Sequence, residues 1–562
     1  MISWTALNIF SLIAGISAEF YSSLASLKAI IEAERNISER INFYVEKELK
    51  MSDNLRKFAQ VKENKDNAIR DGEEMIKHPI NAFLLIKEMT TDWKKVVKMM
   101  QSNSGDNFIR NVTRQWAIKR ITYHFEEDLS DAAIGLLRLQ DTYQMDTKDI
   151  ADGKFLNFQI RSVALNAGDC FEIGRAAYNA HDYYHSIMWM QEARERLEKE
   201  AVPTADLEDI LEYLAFSLYK KGNLKRALLL TDELYHMNPD HPRVRDNIRG
   251  YEGLLENNGV QRIDMRRDIP PMCNVRNEND FDEGAKLTYE ASCRQEALAD
   301  TTIQLRLYCY YKMDNPYLRL SPFKVEIVRQ NPLVAIIYDI LSDLETQIIQ
   351  MLAVPKACLL KRSMSFNYLT GKFEPASFRV AMSTQLKSME HETVKRIDRR
   401  LELATNLEIE TAEDLRVHNY GTGGYFGPHL DCGLISVISI AKGDKCFEKL
   451  GTGNRIATAL IYMTEPEIGG RTVFLTSRKI SVPCIKNALL FWYDLMRNGE
   501  VDMRSRHAGC PVLTGIKWIM TKQFHERGQE WRRPCGLNRF NQELYVGDLG
   551  APEPKHHPNI RS

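Results

Sequence analysis

Asn419-Tyr420-Gly421-Thr422-Gly423-Gly424-Tyr425-Phe426-Gly427-Pro428-His429-Leu430-Asp431 and Arg506-His507-Ala508-Gly509-Cys510-Pro511-Val512-Leu513-Thr514-Gly515-Ile516-Lys517-Trp518 frame the most informative part of the chain. Two imidazoles and one carboxylate that leave coordination positions open suit a non-haem Fe(II) centre. His429 and Asp431 stand two apart, so an extended backbone turns both to one side. His507 lies far along the chain, and only a fold can bring it in. Lys517 follows in an apolar run with Ile516, Trp518, Ile519 and Met520. A buried ammonium needs an anionic partner, and a dicarboxylate that also chelates the metal would be one. Each feature alone has a plainer reading. His-x-Asp is then a pair of surface polar residues, His507 a hydrogen-bonded core histidine, and Lys517 a snorkelling residue on an edge strand. Taken together, with β-rich, glycine-bounded sequence between them, they favour one metal centre.

The spacing predicts strands near 415–420, 455–463, 472–475, 488–493, 507–513 and 517–524. Short strands so spaced indicate a sandwich or barrel. With this triad the expected form is a double-stranded β-helix, a jelly roll. A two-residue hairpin at Thr514-Gly515 would turn Lys517 and His507 to opposite faces, and a bulge at Pro511 would restore the facing. Upstream, a helix is predicted over 341–352, strands and turns over 354–379, and a helix over 384–403.

Further upstream the periodicity becomes helical. Leu27, Ile30, Ile37, Ile41, Tyr44, Met51, Leu55 and Phe58 form a coiled-coil-like stripe, interrupted by Glu34 and Glu48. It fits a dimer seam or one helix of a bundle. Helices are also predicted around 78–83 and 131–143. Residues 166–255 hold an internal repeat of tetratricopeptide type, with Gly174 and Ala215 at the small-residue position and Pro239 at the terminating one. Asp182-Tyr183 and Asn223-Leu224 open the second helices. Phe171, Arg175 and Tyr178 share one helix face, and Phe216 and Tyr219 the next. In stacked repeats that face lines a groove. Aromatic grooves receive polyproline II ligands, although any single one of these aromatics also reads as packing between helices. Arg243, Asn247 and Tyr251 lie on a third helix that could close the groove. Residues 257–284, with Asn257-Asn258-Gly259 and Pro270-Pro271, read as a linker.

The chain has 562 residues, 44% hydrophobic and 27% charged, which is ordinary for a globular chain of several domains. A formal net charge of −1 gives no case for nucleic acid or an anionic membrane surface. Residues 4–18 are apolar but too short to span a bilayer. They read as a signal peptide ending near Ser17-Ala18 or as a buried first helix. The Asn36 and Asn111 sequons are candidate glycosylation sites. Ten cysteines without zinc-like spacing suggest disulfides in an oxidising compartment.

Leu450-Gly451-Thr452-Gly453-Asn454-Arg455-Ile456-Ala457-Thr458, Gly469-Gly470-Arg471-Thr472-Val473-Phe474, Phe491-Trp492-Tyr493 and His525-Glu526-Arg527-Gly528-Gln529-Glu530 carry a further message. This sequence resembles the α subunits of collagen prolyl 4-hydroxylase over nearly its whole length. The resemblance implies Fe(II) on His429, Asp431 and His507. It places the distal carboxylate of 2-oxoglutarate on Lys517, with Tyr420 and Thr472 as helpers, and L-ascorbate as the reductant. It implies hydroxylation of peptidyl proline to 4-hydroxyproline in collagen-like Xaa-Pro-Gly sequences. Protein disulfide isomerase would be the β subunit of an α2β2 tetramer in the endoplasmic reticulum lumen. Retention would need that partner, because Asn559-Ile560-Arg561-Ser562 is not a Lys-Asp-Glu-Leu type signal. The implied disulfides are Cys293–Cys309 and Cys510–Cys535. Cys432 and Cys446 flank a stretch unlike the family and offer a third bridge.

The resulting expectation is a multidomain α+β chain, all-α in its N-terminal half. Its parts are a signal peptide (1–18), a helical dimerisation domain (19–150) and a tetratricopeptide-like peptide-substrate-binding domain (160–256). A linker and disulfide-bearing segment (257–330), a jelly-roll dioxygenase domain (331–536) and a disordered tail (537–562) follow. Phe426 stands where the family has Tyr, and Gln523 where it has Trp. Gly250 stands where relatives carry an aromatic, and Arg379-Val380-Ala381-Met382-Ser383-Thr384-Gln385-Leu386 is altered. The Gly250 departure bears on peptide preference in the repeat groove; the other three touch the substrate pocket and no metal ligand. A different class of reading is a non-catalytic or weakly active collagen-binding assembly subunit.

Overall fold

The computed structural model describes residues 78–92, 126–154, 162–276, 285–296, 308–357, 364–367, 372–375, 379–433, 451–475 and 480–539, with Ile31, Lys94, Val97 and Asn541 besides. The signal peptide, nearly all of the stripe over 27–58, Asn36, Asn111, Cys446 and the last residues of the tail lie outside the described residues. The chain divides into two units, Glu19–Gly284 and one built on Ala285–Ser562.

In the first unit, helix Pro79–Lys87 starts on a proline, where a missing N–H costs nothing. Helix Ala167–Asn179 starts with a capping box between Asn166 and Asp169. The buried Asp169 also takes the ammonium of buried Lys87. The expected repeat follows as paired helices, Ala167–Asn179 with Tyr183–Leu197 and Leu207–Lys220 with Leu224–Met237, then a lone helix Val244–Asn257. Gly174 is small for a reason: a Cβ there would stand 3.0 Å from the Met190 methyl. Ile187, Met190, Leu214, Leu218 and Leu228 fill the core between helices.

Two expectations change in this unit. Tyr251 is buried with Leu255 in that core, so it does not line a groove. Helix Val244–Asn257 presents Tyr251 on its packed side, in register with Val244 and Leu255. The stretch 260–276, read as a linker, is held by the repeat helices. The Asn223 amide donates to the Cys273 carbonyl at 2.7 Å and accepts its N–H at 2.8 Å. Arg226 donates to the Pro270 carbonyl at 3.0 Å, and Arg276 pairs with Asp141.

Among the described residues the second unit is built on two main antiparallel sheets, with two short two-stranded ones, Ile468–Gly469 with Val512–Thr514 and Met364–Asn367 with Lys372–Pro375, beside them. The larger has the order Cys309–Lys312, Phe323–Gln330, Leu333–Tyr338, Leu489–Tyr493, Arg455–Tyr462, Lys517–His525, Leu415–Tyr420, Met382–Leu386. The smaller has the order Ile480–Val482, Thr472–Phe474, His507–Gly509, Tyr425–His429, Arg379–Val380. Period-2 alternation sorts the larger sheet's side chains. Ala457, Ala459, Ile461, Leu489 and Phe491 meet helices Asp343–Ala357 and Glu392–Thr405 through Ile349, Val394, Ile397 and Leu401. Their neighbours Leu460, Tyr462, Leu490 and Trp492 face the smaller sheet at Phe474 and Val482. This is the jelly-roll arrangement.

Several local expectations move. Strands Cys309–Lys312 and Phe323–Gln330 belong to the large sheet, so the catalytic unit starts before residue 331. Met382–Leu386 is a strand paired with Leu415–Tyr420, and the expected helix begins only at Glu392 after its His391 cap. The strand expected over 507–513 splits at Cys510-Pro511. His507–Gly509 stays in the small sheet, and Val512–Thr514 pairs with Ile468–Gly469. The implied disulfides are also corrected: Cys293 bonds Cys510, with Cα atoms 5.6 Å apart. Helix Ala285–Cys293 packs Tyr289 and Cys293 on the outward face of the small sheet, against Val473 and Ala508. Cys309 stands on the edge strand of the other sheet. It and Cys535 are exposed thiols, and Cys432 is a buried one.

Candidate active site

His429, Asp431 and His507 come together at the mouth between the sheets, and one donor atom from each lies within 4.8 Å of the others. His429 and His507 are cross-strand partners, with ring centroids 4.3 Å apart. Each imidazole is fixed by backbone. Nδ1–H of His429 donates to the Gly427 carbonyl at 2.8 Å, and Nδ1–H of His507 donates to the Ser505 carbonyl at 3.0 Å. Both Nε2 lone pairs are thereby left toward Asp431, at 3.5 Å from Oδ1 and 3.8 Å from Oδ2. The buried His429 Nε2 has no hydrogen-bond partner. An orphaned buried acceptor beside a second imidazole and a carboxylate fits a divalent transition metal.

The electrostatics agree. Burial raises the Asp431 carboxyl, but the neighbouring His507 and His429 and the charge of Arg455 carry it well below the usual carboxylate range. Burial, with His429 beside it, pulls His507 down to about 4, so this imidazole is neutral. The His507 ring packs on Trp492 at 4.6 Å and near Phe474 at 5.8 Å. Phe426 stacks on His429 at 3.5 Å. Arg455 donates to the Asp431 carbonyl at 2.8 Å and pairs with Glu413 at 2.5 Å. Burial opposes the charge on Glu413, but His525 and Arg455 hold its carboxyl down to about 2.

Lys517 lies deeper in the same cleft and is 3% exposed. It faces His507 from the opposite sheet, so no bulge at Pro511 is required: the chain changes sheets between them. Its Nζ donates to the Gly470 carbonyl at 2.5 Å and stands over the rings of Tyr420 and Tyr462 at 5.4 and 5.9 Å. Among the described residues no carboxylate pairs with it. Thr472 is buried and accepts from the Tyr462 hydroxyl at 2.8 Å. The pocket is thus Lys517, Tyr420, Thr472 and Tyr462, with the buried Cys484 thiol on the same Gly470 carbonyl at 2.9 Å. Tyr462 and Thr458 were not singled out from the sequence. The alternation along 457–462 was the signal that turns both inward. Gln523, cross-strand partner of Thr458, is buried with its carbonyl oxygen unpartnered.

In the first unit the expected aromatic stripe is present and wider than expected. Tyr178 contacts Tyr213 at 4.7 Å, Phe216 at 5.5 Å and Tyr183 at 5.8 Å. Phe171 meets Tyr213 at 5.7 Å, and Phe216 meets Tyr219 at 5.7 Å. Tyr213 and Tyr183 are the residues sequence reasoning missed. Arg175 pairs with Glu172, exposed Arg243 pairs with Glu212 at 2.6 Å, and Asn247 is half-buried on the same helix as Tyr251.

Comparison with known proteins bears on both units. The family model of the prolyl 4-hydroxylase alpha-subunit N-terminal region matches residues 23–157. That of the prolyl 4-hydroxylase peptide-substrate-binding domain matches 167–257, and that of the 2OG-Fe(II) oxygenase superfamily matches 415–525. The sequence is 46% identical over 557 residues to prolyl 4-hydroxylase subunit alpha-1 of Caenorhabditis elegans, covering 99% of this chain and 97% of that protein. It is 43% identical over 549 residues to subunit alpha-2 of the same organism, covering 97% and 98%. Against subunit alpha-1 of Homo sapiens it is 36% identical over 534 residues, covering 93% and 96%.

Proposed function

The chain belongs to the prolyl 4-hydroxylase alpha-subunit family, and from that premise we propose that it hydroxylates peptidyl proline to 4-hydroxyproline in collagen-like Xaa-Pro-Gly sequences. The observation that carries this is the His429/Asp431/His507 set, half-buried at His429 and Asp431 and buried at His507, facing buried Lys517 across the cleft. Bound Fe(II), with O2 and 2-oxoglutarate, supplies the oxidant for C–H hydroxylation. The protein's own part is holding and positioning. His429, Asp431 and His507 hold the metal through their fixed Nε2 atoms and one carboxylate. Lys517 takes the distal carboxylate of 2-oxoglutarate, assisted by Tyr420 and Thr472. The apolar walls formed by Trp492, Phe474 and Phe426 keep water out of the cleft.

The groove of Phe171, Arg175, Tyr178, Phe216, Tyr219, Arg243 and Asn247, with Tyr213 added, receives the proline-rich chain. Preformed polyproline II helices dock on such aromatic surfaces at low entropic cost. L-ascorbate keeps the iron reduced. Protein disulfide isomerase is the partner in an α2β2 tetramer, and the endoplasmic reticulum lumen is the site of action. No helix among the described residues is long and apolar enough to cross a membrane.

The test measures succinate and 4-hydroxyproline together, using the full chain, Fe(II), 2-oxoglutarate and a (Pro-Pro-Gly)n peptide. Peptide-stimulated succinate matched by hydroxyproline, and lost in His429→Ala, is the expected result. Peptide binding with no hydroxyproline from the wild type would refute the proposal and favour an assembly subunit.

A further inference from the structure

Behind the metal ligands lies a carboxyl group that the functional reading does not use. Asp494 is fully buried at the end of strand Leu489–Tyr493 and forms no ion pair among the described residues. Its Oδ1 accepts the Trp492 indole N–H at 2.9 Å. Its Oδ2 lies 2.8 Å from the hydroxyl oxygen of Thr458, which is 1% exposed. The same hydroxyl oxygen lies 2.8 Å from Asp431 Oδ2. Thr458 therefore bridges two carboxyl groups.

Counting protons assigns the direction of the bridge. Two oxygen–oxygen contacts of this length need two protons, and the threonine hydroxyl brings one. The second must come from a carboxyl group. On Asp431 it would sit on the oxygen pair that has to ligate the metal, and a ligating carboxylate carries no proton. It therefore sits on Asp494 Oδ2. Burial, and then the charge of Asp431, push the Asp494 carboxyl well above its ordinary value, in keeping with that count.

We propose that Asp494 and Thr458 are positioning residues for the metal centre: the Asp494 carboxylic acid donates to Thr458, and Thr458 donates to Asp431. This rests on reading His429, Asp431 and His507 as the metal ligands. The chain occupies Asp431 Oδ2 and leaves Oδ1, on the His429 side, free to ligate through one oxygen. Asp494 also steadies the second histidine, because the indole it holds is the one packed on His507. One buried acid thus orients two ligands from distant parts of the chain, Asp431 just past strand Tyr425–His429 and His507 on strand His507–Gly509. Partners of this kind fix a ligand's orientation, and their loss commonly lowers metal affinity by about 10–100-fold.

The test is anaerobic Fe(II) titration of the full chain by calorimetry, beside a thermal melt of each variant. Thr458→Val removes the bridge at nearly constant shape and should weaken Fe(II) binding by about 10–100-fold, while Thr458→Ser should restore most of it. Asp494→Asn should bind like the wild type, since its amide N–H can donate to Thr458 and its carbonyl can accept from Trp492. Asp494→Leu should lose as much as Thr458→Val. Wild-type affinity in Thr458→Val overturns the proposal, as does an Asp494→Asn loss as large as that of Asp494→Leu. If Asp494→Leu does not fold, the two threonine variants and Asp494→Asn decide. His429→Ala separates the layers. Fe(II) retained there overturns the ligand assignment itself. Fe(II) lost there but kept by Thr458→Val overturns only the bridge.

Discussion

Replacing Lys517 should damage cosubstrate use and leave the empty protein no less stable. The ammonium is buried, with a carbonyl and two ring faces for company and no anion among the described residues. Folding has therefore already met its desolvation cost, and an arriving carboxylate meets a cation held dry and in place. A unit pair about 4 Å apart at an effective dielectric near 20 is worth roughly 4 kcal/mol. Desolvation of the incoming carboxylate takes back part of that. Truncating one member of such a pair costs about 2–5 kcal/mol in measured cases. A loss of about 2–4 kcal/mol corresponds to an apparent 2-oxoglutarate constant raised roughly 30- to 700-fold. Lys517→Met fills the same space with an apolar chain, so its melting temperature should match or exceed that of the wild type. Fe(II) affinity without 2-oxoglutarate should hardly change, because Lys517 is not among the metal donors. Lys517→Arg should recover only part of the loss, since a planar fork does not overlay an ammonium. The assay is succinate formation against 2-oxoglutarate concentration, beside a thermal melt. An unchanged 2-oxoglutarate constant in Lys517→Met, or a lowered melting temperature with normal kinetics, would make Lys517 a structural residue.

Tyr213→Ala and Tyr178→Ala should weaken binding of long proline-rich peptides and leave turnover of a very short one nearly unchanged, because these tyrosines and the proposed His429/Asp431/His507 metal site lie in different units; equal losses on both peptides would contradict this. A non-reducing peptide map should join the Cys293 and Cys510 peptides and leave Cys309 and Cys535 open to alkylation, and breaking the bond should cost about 2–5 kcal/mol. A fragment linking Cys293 to Cys309 would refute that pairing. His185 gives a pH signature. Burial opposes its charge, but Asp141 at 3.1 Å and Asp182 at 2.6 Å carry its pKa from 6.5 up to about 9, with Arg276 also on Asp141. A raised folded-state pKa gives stability in full below pH 6.5 that is lost as pH climbs through about 9, on the order of 3 kcal/mol. The pH-dependent melting of His185→Gln should be flatter across that window, and an identical profile would show that the imidazole is not charged between its carboxylates.

The parts legible in the sequence were those set by local periodicity. The i, i+2 placement of His429 and Asp431 follows from any extended backbone. The inward turn of Leu460, Tyr462, Leu490 and Trp492 follows from their alternation with Ala459, Ile461, Leu489 and Phe491. Gly174 and Asp182 marked the repeat helices because a close approach and an N-cap each demand a narrow set of residues. Local signals fail where a residue's environment comes from distant strands. Met382–Leu386 carries a tolerable helical pattern but is claimed by the free edge of Leu415–Tyr420. Tyr251 and Tyr219 look alike in sequence. Only the packing of the third helix puts the Tyr251 hydroxyl in the core, where it is without a hydrogen-bond partner.

The disulfide and Lys517 show the same limit from two sides. Between His507 and Lys517 the chain leaves one sheet and joins the other, passing through the short strand Val512–Thr514. Counting alternation across that passage assumes a single continuous sheet, which is why it predicted opposite faces and called for a bulge. Facing sheets reverse the parity: an inward residue on one looks directly at an inward residue on the other. His507 and Gly509 thus share the cleft with Lys517, while Ala508 and Cys510 turn outward to the helix that carries Cys293. One crossing sets both outcomes, delivering the cation to the cleft and the thiol to the outer face. A residue inserted or deleted between Gly509 and Lys517 would therefore disturb cosubstrate binding and the Cys293–Cys510 bond together, whereas a change beyond His525 would disturb neither.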